Sequence, residues 1–214
     1  NIDLVTSEVD LAAAESELAS QTNRHDLLSR KLVPVIDLYD YILIDCPPSL
    51  GLLTINALAA SKELIVPMQT HFLALQGVSR LFETVSMLVG GLNPELQVSG
   101  IVLCMHEGHT NLGREVVADL EEFFAASKDQ DVPWKDCEIL QPPIRRNVKL
   151  AEAPSFGQTI FDYEPDCAGA KDYRRLAESV IAASSSNQQI ETEEIPIPVN
   201  AQQEQSEPVS NDAI

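Results

Sequence analysis

Residues 39–51, YDYILIDCPPSLG, carry an apolar run that ends on a carboxylate, Asp45, and leaves through Pro47 and Pro48. From Tyr41 to Asp45 the run is apolar on both faces. That is the pattern of a central parallel strand covered by helices on either side. The prolines fix φ and remove two backbone donors, so the chain after Asp45 cannot continue as a paired strand. Gly51 lets the backbone approach a ligand or the following helix closely. A buried strand with an acid at its carboxyl end points to an open α/β sheet, where ligands sit beyond the strand ends.

The rest of the chain repeats that logic. Strands are expected at 1–5, 63–67, 98–105 and near Ile139. Helices are expected at about 10–19, 25–37, 53–60, 75–89, from Thr110 or Asn111 onward, and at 170–183. Asp10 is placed to cap the first helix and Pro34 to kink the second. Leu75, Val78, Leu81, Phe82, Val85, Leu88 and Val89 form a helical stripe stopped by Gly90 and Gly91. Val116, Val117, Leu120, Phe123 and Phe124 mark the next buried face. Tyr173, Leu176, Ala177, Val180 and Ile181 mark the last. Residues 127–138 and 152–157 read as loops, the first of them polar. Strands alternating with helices predict an α/β fold with a doubly wound, mostly parallel sheet.

Beyond Ser184 the composition changes to Gln, Ser, Glu, Asn and Pro, without an aromatic residue, Lys or Arg. This predicts a domain over 1–183 and an acidic, disordered tail over 184–214. The formal net charge of -19 argues against a constitutive binder of nucleic acid or anionic membrane, and leaves room for a local basic patch. Cys46, Cys104, Cys137 and Cys167 form no C-x-x-C pair, which fits reduced thiols in a cytoplasmic protein. No apolar run of about 18 residues predicts a membrane span, and no signal peptide is legible.

An acid at the end of an apolar strand is also the form of the second phosphate-site motif of P-loop NTPases. There it holds Mg²⁺, usually through water, beside the nucleotide phosphates. The alternative for Asp45 is a strand simply leaving the core. The matching phosphate cradle, G-x-x-x-x-G-K-[ST], is not present: none of the glycines at 51, 77, 90, 91, 100, 108, 113, 157 and 169 precedes Lys-Ser or Lys-Thr. Arg145, Arg146 and Lys149 make a basic cluster that is either a solvated loop or a contact for nucleic-acid phosphates. His106 and His109 have H-x-x-H spacing, but they fall in a loop without a cysteine pair, so a surface loop is preferred to zinc. Cys46 is expected to be a buried structural thiol, since no His–acid pair is implied beside it.

YDYILIDCPPSLGLLTINALAAS resembles the ParA/Soj family of partitioning ATPases, deviant P-loop proteins grouped with MinD. The resemblance continues through LIVPMQTHFLALQGVSRLFETV, HTNLGREV, RRNVKLAEAPSFGQTIFDY and GAKDYRRLAESV, and reaches from Asn1 to about Ala183. It implies ATP and Mg²⁺ as cofactors and an ATP-dependent homodimer. It further implies non-specific DNA binding, hydrolysis stimulated by a ParB-type centromere-binding protein, and a cytoplasmic, nucleoid-associated location. On that resemblance Asp45 is the catalytic, magnesium-linked acid. Cys46, Pro47, Pro48, Ser49 and Gly51 form the switch that senses the γ-phosphate. Arg146, Asn147, Glu152 and Pro154 flank the adenine, and His109, Arg145 and Lys149 contact DNA. His109 replaces the family's usual arginine, and Arg145 stands where many relatives carry proline. The acidic tail differs from the basic membrane helix of MinD relatives, so no membrane partner is expected. The family's phosphate loop lies in its first third, and the chain opens at Asn1 in what reads as a strand. The expectation is therefore the carboxy-terminal two-thirds of an ATPase, inactive alone and lacking the N-terminal P-loop unit. A shortened, non-catalytic interaction module is the alternative.

Overall fold

A computed structural model of the protein describes residues 2–8, 10–47 and 49–191. The chain enters through α1 (Leu11–Leu18), α2 (Leu27–Leu32), a 3-10 turn at Ile36–Leu38 and α3 (Leu52–Ala60). Strand β1 (Glu63–Gln69), helix α4 (Phe72–Val89), strand β2 (Gln97–Cys104), helix α5 (Asn111–Ser127) and strand β3 (Glu138–Ile139) follow. Short helices α6 (Val148–Glu152) and α7 (Ile160–Tyr163) lead to α8 (Ala168–Glu191). The strands of the described residues form one parallel sheet in the order β1-β2-β3. Parallel neighbours require crossovers, and α4 and α5 supply them.

Helices cover both faces of this sheet. Val66 and Met68 of β1 and Val98, Ile101 and Leu103 of β2 pack against Val78, Phe82, Val85 and Leu88 of α4. Val116, Leu120 and Phe124 of α5 complete that layer. On the other side, Val102 meets Ile144 and Leu176 of α8, with Leu150 and Val180 at the margin. Val98 and Ile101 share a face although they are three apart, because the pairing skips Ser99 between Leu64 and Ile65. Gly100 lies against β3's neighbour Leu140, where a Cβ would meet that side chain at 2.5 Å. Helix α4 is long and apolar enough by length and composition to cross a membrane. Here its stripe packs into the core, while Arg80 and Glu83 stand exposed.

Several expected elements form as the pattern predicts. Helix α4 ends at Gly90, and Thr110 caps α5 by accepting from Gly113 N at 3.1 Å. Others need correction. The strand expected at 41–45 carries no pairing, nor does 2–8, and Ile2 and Leu43 are 96% and 90% exposed. A strand exists only through a hydrogen-bonded neighbour, and among the described residues β1 pairs with β2 alone. Tyr39 Oη, two residues ahead of the second segment, donates to Asp3 Oδ2 of the first at 2.7 Å. Pro34 interrupts the helix expected over 25–37 rather than kinking it: α2 stops at Leu32 and the chain turns. The supposedly polar loop 127–138 sends Trp134 into the core, stacked on Phe82 at 4.8 Å, with its Nε1 donating to Ser127 Oγ. Helix α8 starts earlier than expected and continues to Glu191, with Asp172 rather than Tyr173 turned inward. The rest of the expected tail, 192–214, lies outside the described residues.

Candidate functional site

Two groups of candidate residues occupy separate places. The first is the segment from Asp45 to Gly51, leading into α3. Asp45 is exposed and, among the described residues, has no hydrogen bond or ion pair. Cys46 Sγ lies 3.7 Å from the Ile44 carbonyl, and burial, then the Asp45 charge, push its thiol pKa up. Both effects work against an activated thiolate, but Cys46 stands exposed, so the burial expected for it does not form. Pro48 lies outside the described residues. Ser49 O accepts from Thr54 Oγ1 at 2.6 Å, which ties the end of the segment to α3.

Helix α3 has no side-chain cap of its own at Gly51. Its free N–H groups are met from outside: Glu15 of α1 accepts from Leu53 N at 3.1 Å. Gly51 leaves room for this approach: a Cβ there would make the Glu15 carboxylate shift. Sequence reasoning missed Glu15. Its only local signal was an acid within the Ala-rich α1, without a basic residue in the helix. Asn56, 5% exposed, holds the same junction from below. Its Nδ2 donates to Arg24 O at 2.7 Å, and its Oδ1 accepts from Leu28 N at 3.3 Å. An open depression of about 440 Å³ lies here, lined by Glu15, Arg24, His25, Leu50 and Ile55 among others.

The second group gathers at the carboxyl ends of β2 and β3. His106 N donates to Ile144 O at 2.9 Å and His106 bridges to Arg145, so the loops after the two strands run side by side. Met105, at φ 49, makes the turn out of β2 in the left-handed region. Across the loops Arg146 Nη1 meets Glu107 Oε1 at 3.2 Å, and His109 stands exposed beyond. Arg145 is differently employed. Its Nη2 and Nε reach Asp172 at 2.7 and 2.9 Å, and its backbone N–H donates to the same carboxylate. These bonds hold the Asp172 carboxyl below its usual range although burial pushes the other way.

Asn147 caps α6 by accepting from Lys149 N at 2.9 Å. Lys149 Nζ meets Glu152 at 2.8 Å, and Tyr163 Oη donates to the same Glu152 oxygen at 3.0 Å. The Lys149 bond, then the Tyr163 bond, lower the Glu152 pKa, and the Lys149 pKa rises correspondingly. Pro154 opens the 3-10 turn Ala153–Phe156, which Gly157 closes at φ 63. Among the described residues no hydrogen bond or ion pair joins 45–51 to 145–154. The carboxyl edge of the sheet also exposes Phe72, Leu73, Met105, Leu112 and Val148.

Among the described residues no cluster of three or more His, Cys, Asp or Glu is placed to hold a metal, His106 and His109 included. A single free carboxylate fits Mg²⁺ nonetheless, since this ion keeps several waters and takes one or two carboxylates plus phosphates. Asp45 has the right chemistry and, among the described residues, no competing partner.

The family model described as AAA domain matches residues 1–98. The chromosome-partitioning ATPase Soj of Treponema pallidum is 40% identical over 182 residues, covering 85% of this chain and 68% of that protein. The chain belongs to the Soj/ParA family of chromosome-partitioning ATPases. The sporulation initiation inhibitor Soj of Bacillus subtilis is 42% identical over 182 residues, with the same coverage. A cobyrinic acid a,c-diamide synthase from Mycobacterium smegmatis, solved with ADP and magnesium, superposes with a TM-score of 0.64 at 30% identity. That match covers 85% of this chain and 62% of the synthase. The cell division ATPase MinD of Pyrococcus furiosus shares the fold, at a TM-score of 0.55 and 22% identity. The Soj/ParA chain described here thus has a P-loop-NTPase-like α/β fold and spans about two-thirds of the length of its relatives.

Proposed function

We propose that this chain is the switch-bearing and DNA-contacting part of a ParA-type ATPase that partitions a chromosome or plasmid. Asp45 holds Mg²⁺ through water, and residues 46–51 sense the γ-phosphate. Asn147 and Pro154 border the adenine. The bound nucleotide supplies the phosphate charge on which Asp45 and the switch act. Two subunits close along the carboxyl edge of the sheet, for which the exposed Phe72, Leu73 and Val148 are suited. Arg146, Lys149 and His109 then contact DNA phosphates without reading sequence. A ParB-type partner triggers hydrolysis and release, and the protein works at the nucleoid. The domain ends with α8, and the acidic residues beyond serve as a spacer.

The observation that carries this reading is the uncommitted Asp45 carboxylate inside a stretch shared with Soj proteins at 40% identity or more. The test is ATP-dependent retention on mixed-sequence duplex DNA, measured on the protein as its gene encodes it. Asp45→Ala should abolish retention. Retention equal to wild type would refute the assignment. A second reading, a non-catalytic interaction module, is favoured by the lack of any G-x-x-x-x-G-K-[ST] in these 214 residues. It predicts that the 214-residue chain stays folded and shows no heat of ATP binding by calorimetry.

A further inference from the structure

The cations of the β2–β3 loops fall into two classes. Arg145 is committed to the fold, because its partner Asp172 has a side chain only 3% exposed. Taking Arg145 away would strand a buried carboxylate. Arg146 and Lys149 are held differently. Each pairs with one acid that water also reaches, Glu107 and Glu152, both 38% exposed, and Lys149 also lies over the Tyr163 ring at 5.7 Å. If Lys149 left, Glu152 would keep its bond from Tyr163. If Arg146 left, Glu107 would be hydrated.

We propose that Glu107 and Glu152 are resident anions that hold Arg146 and Lys149 until the phosphodiester backbone of a DNA duplex replaces them. The inference rests on the DNA-binding reading above. Exposed ion pairs are weak, whereas contact with a polyanion also releases condensed counterions. The exchange therefore runs toward a duplex, which offers many adjacent phosphates, and not toward a single dilute anion. Until then the Arg146–Glu107 pair spans loops that the His106–Ile144 bond already joins, and the Lys149–Glu152 pair orients Lys149 along α6. In a chain of net charge -19 they also raise the threshold against indiscriminate polyanion binding.

The experiment is fluorescence anisotropy of a short mixed-sequence duplex, titrated with the protein as its gene encodes it, at saturating ATP and magnesium over a range of NaCl. Glu107→Gln and Glu152→Gln preserve shape and remove the charge. Each should tighten binding roughly two- to five-fold at low salt, the range expected for releasing one exposed pair. Lys149→Gln should weaken binding and reduce the slope of log K against log salt by about one. In the Lys149→Gln background, Glu152→Gln should bring no gain. Glu121→Gln, an exposed acid on α5, changes net charge equally and should leave affinity unaltered. Wild-type binding with no gain in either Gln variant beyond that control would overturn the inference and leave the DNA reading intact. So would a Glu152→Gln gain that persists without Lys149. No binding by any protein at low salt would overturn both.

Discussion

Asn56→Ala should cost about 2 kcal/mol of stability, and the reason lies in which bonds it strands. Asn56 sits in α3 at 5% exposure and makes three side-chain hydrogen bonds. The bond to Leu52 O, at 2.9 Å, goes to a carbonyl already in the helix ladder, so its loss costs little. The other two have no substitute. Leu28 N is a free donor at the start of α2, where the Asp26 side chain makes no capping bond. Arg24 O receives Nδ2 at 2.7 Å, the shorter of the two bonds that cross to α2. An unsatisfied buried polar group costs about 1–3 kcal/mol. Both groups lie at the partly exposed edge of the junction, so the lower end applies to each. For a chain of this size the sum corresponds to a fall in Tm of about 4–8 °C. Urea denaturation followed by Trp134 fluorescence reads it directly, since Trp134 is the only tryptophan. A loss below about 0.5 kcal/mol would show that water or a shifted α2 satisfies both groups, and the clamp would be discarded.

Phe82→Ala should destabilise by about 3–5 kcal/mol and shift Trp134 emission to the red, because Phe82 is 2% exposed and stacks on that indole; unchanged emission would contradict the stacking. Arg145 holds the Asp172 pKa below its ordinary 3.8, so the folded form binds its proton later than the unfolded chain. That stability is present above about pH 4 and is lost as pH falls through the lowered value. Asp172→Asn should thus be less stable at pH 7, with the gap narrowing toward pH 3; a constant gap in urea midpoints would refute the linkage. Cys137 is 2% exposed and its pKa is pushed up to about 12, chiefly by burial. At pH 8 about one part in ten thousand is thiolate, so a brief iodoacetamide pulse read by mass spectrometry should label exposed Cys46 first and Cys137 only on unfolding.

What could be read from the sequence was what depends on neighbours in the chain. The α4 stripe, the Gly90 stop and the Thr110 cap are all local, and each forms as expected. What could not be read depends on a partner far away. Residues 41–45 have the composition of a buried strand, but pairing is a property of two segments, and the described residues provide no second. Glu15 gains its role from Leu53, 38 positions later. On α8 Leu176 and Val180 face inward as apolar spacing suggests, but Tyr173, Ala177 and Ile181 do not, and Arg145 draws Asp172 inside. Trp134 was more accessible to inference: a lone tryptophan in a polar loop is an expensive side chain to leave in water, and that signal was passed over.

The same distinction separates function from structure among identical side chains. Asp45 and Asp172 are both aspartates, as Arg145 and Arg146 are both arginines. Asp172 and Arg145 face each other, one of them buried, so neither can leave without stranding a charge. Asp45 has no partner among the described residues, and Arg146 has one that water can replace. A charge is most readily given to a ligand where the fold stands without it. Asp45, Arg146 and Lys149 meet that condition, whereas Arg145 is engaged by Asp172, a difference of which its adjacency to Arg146 in the sequence gave no hint.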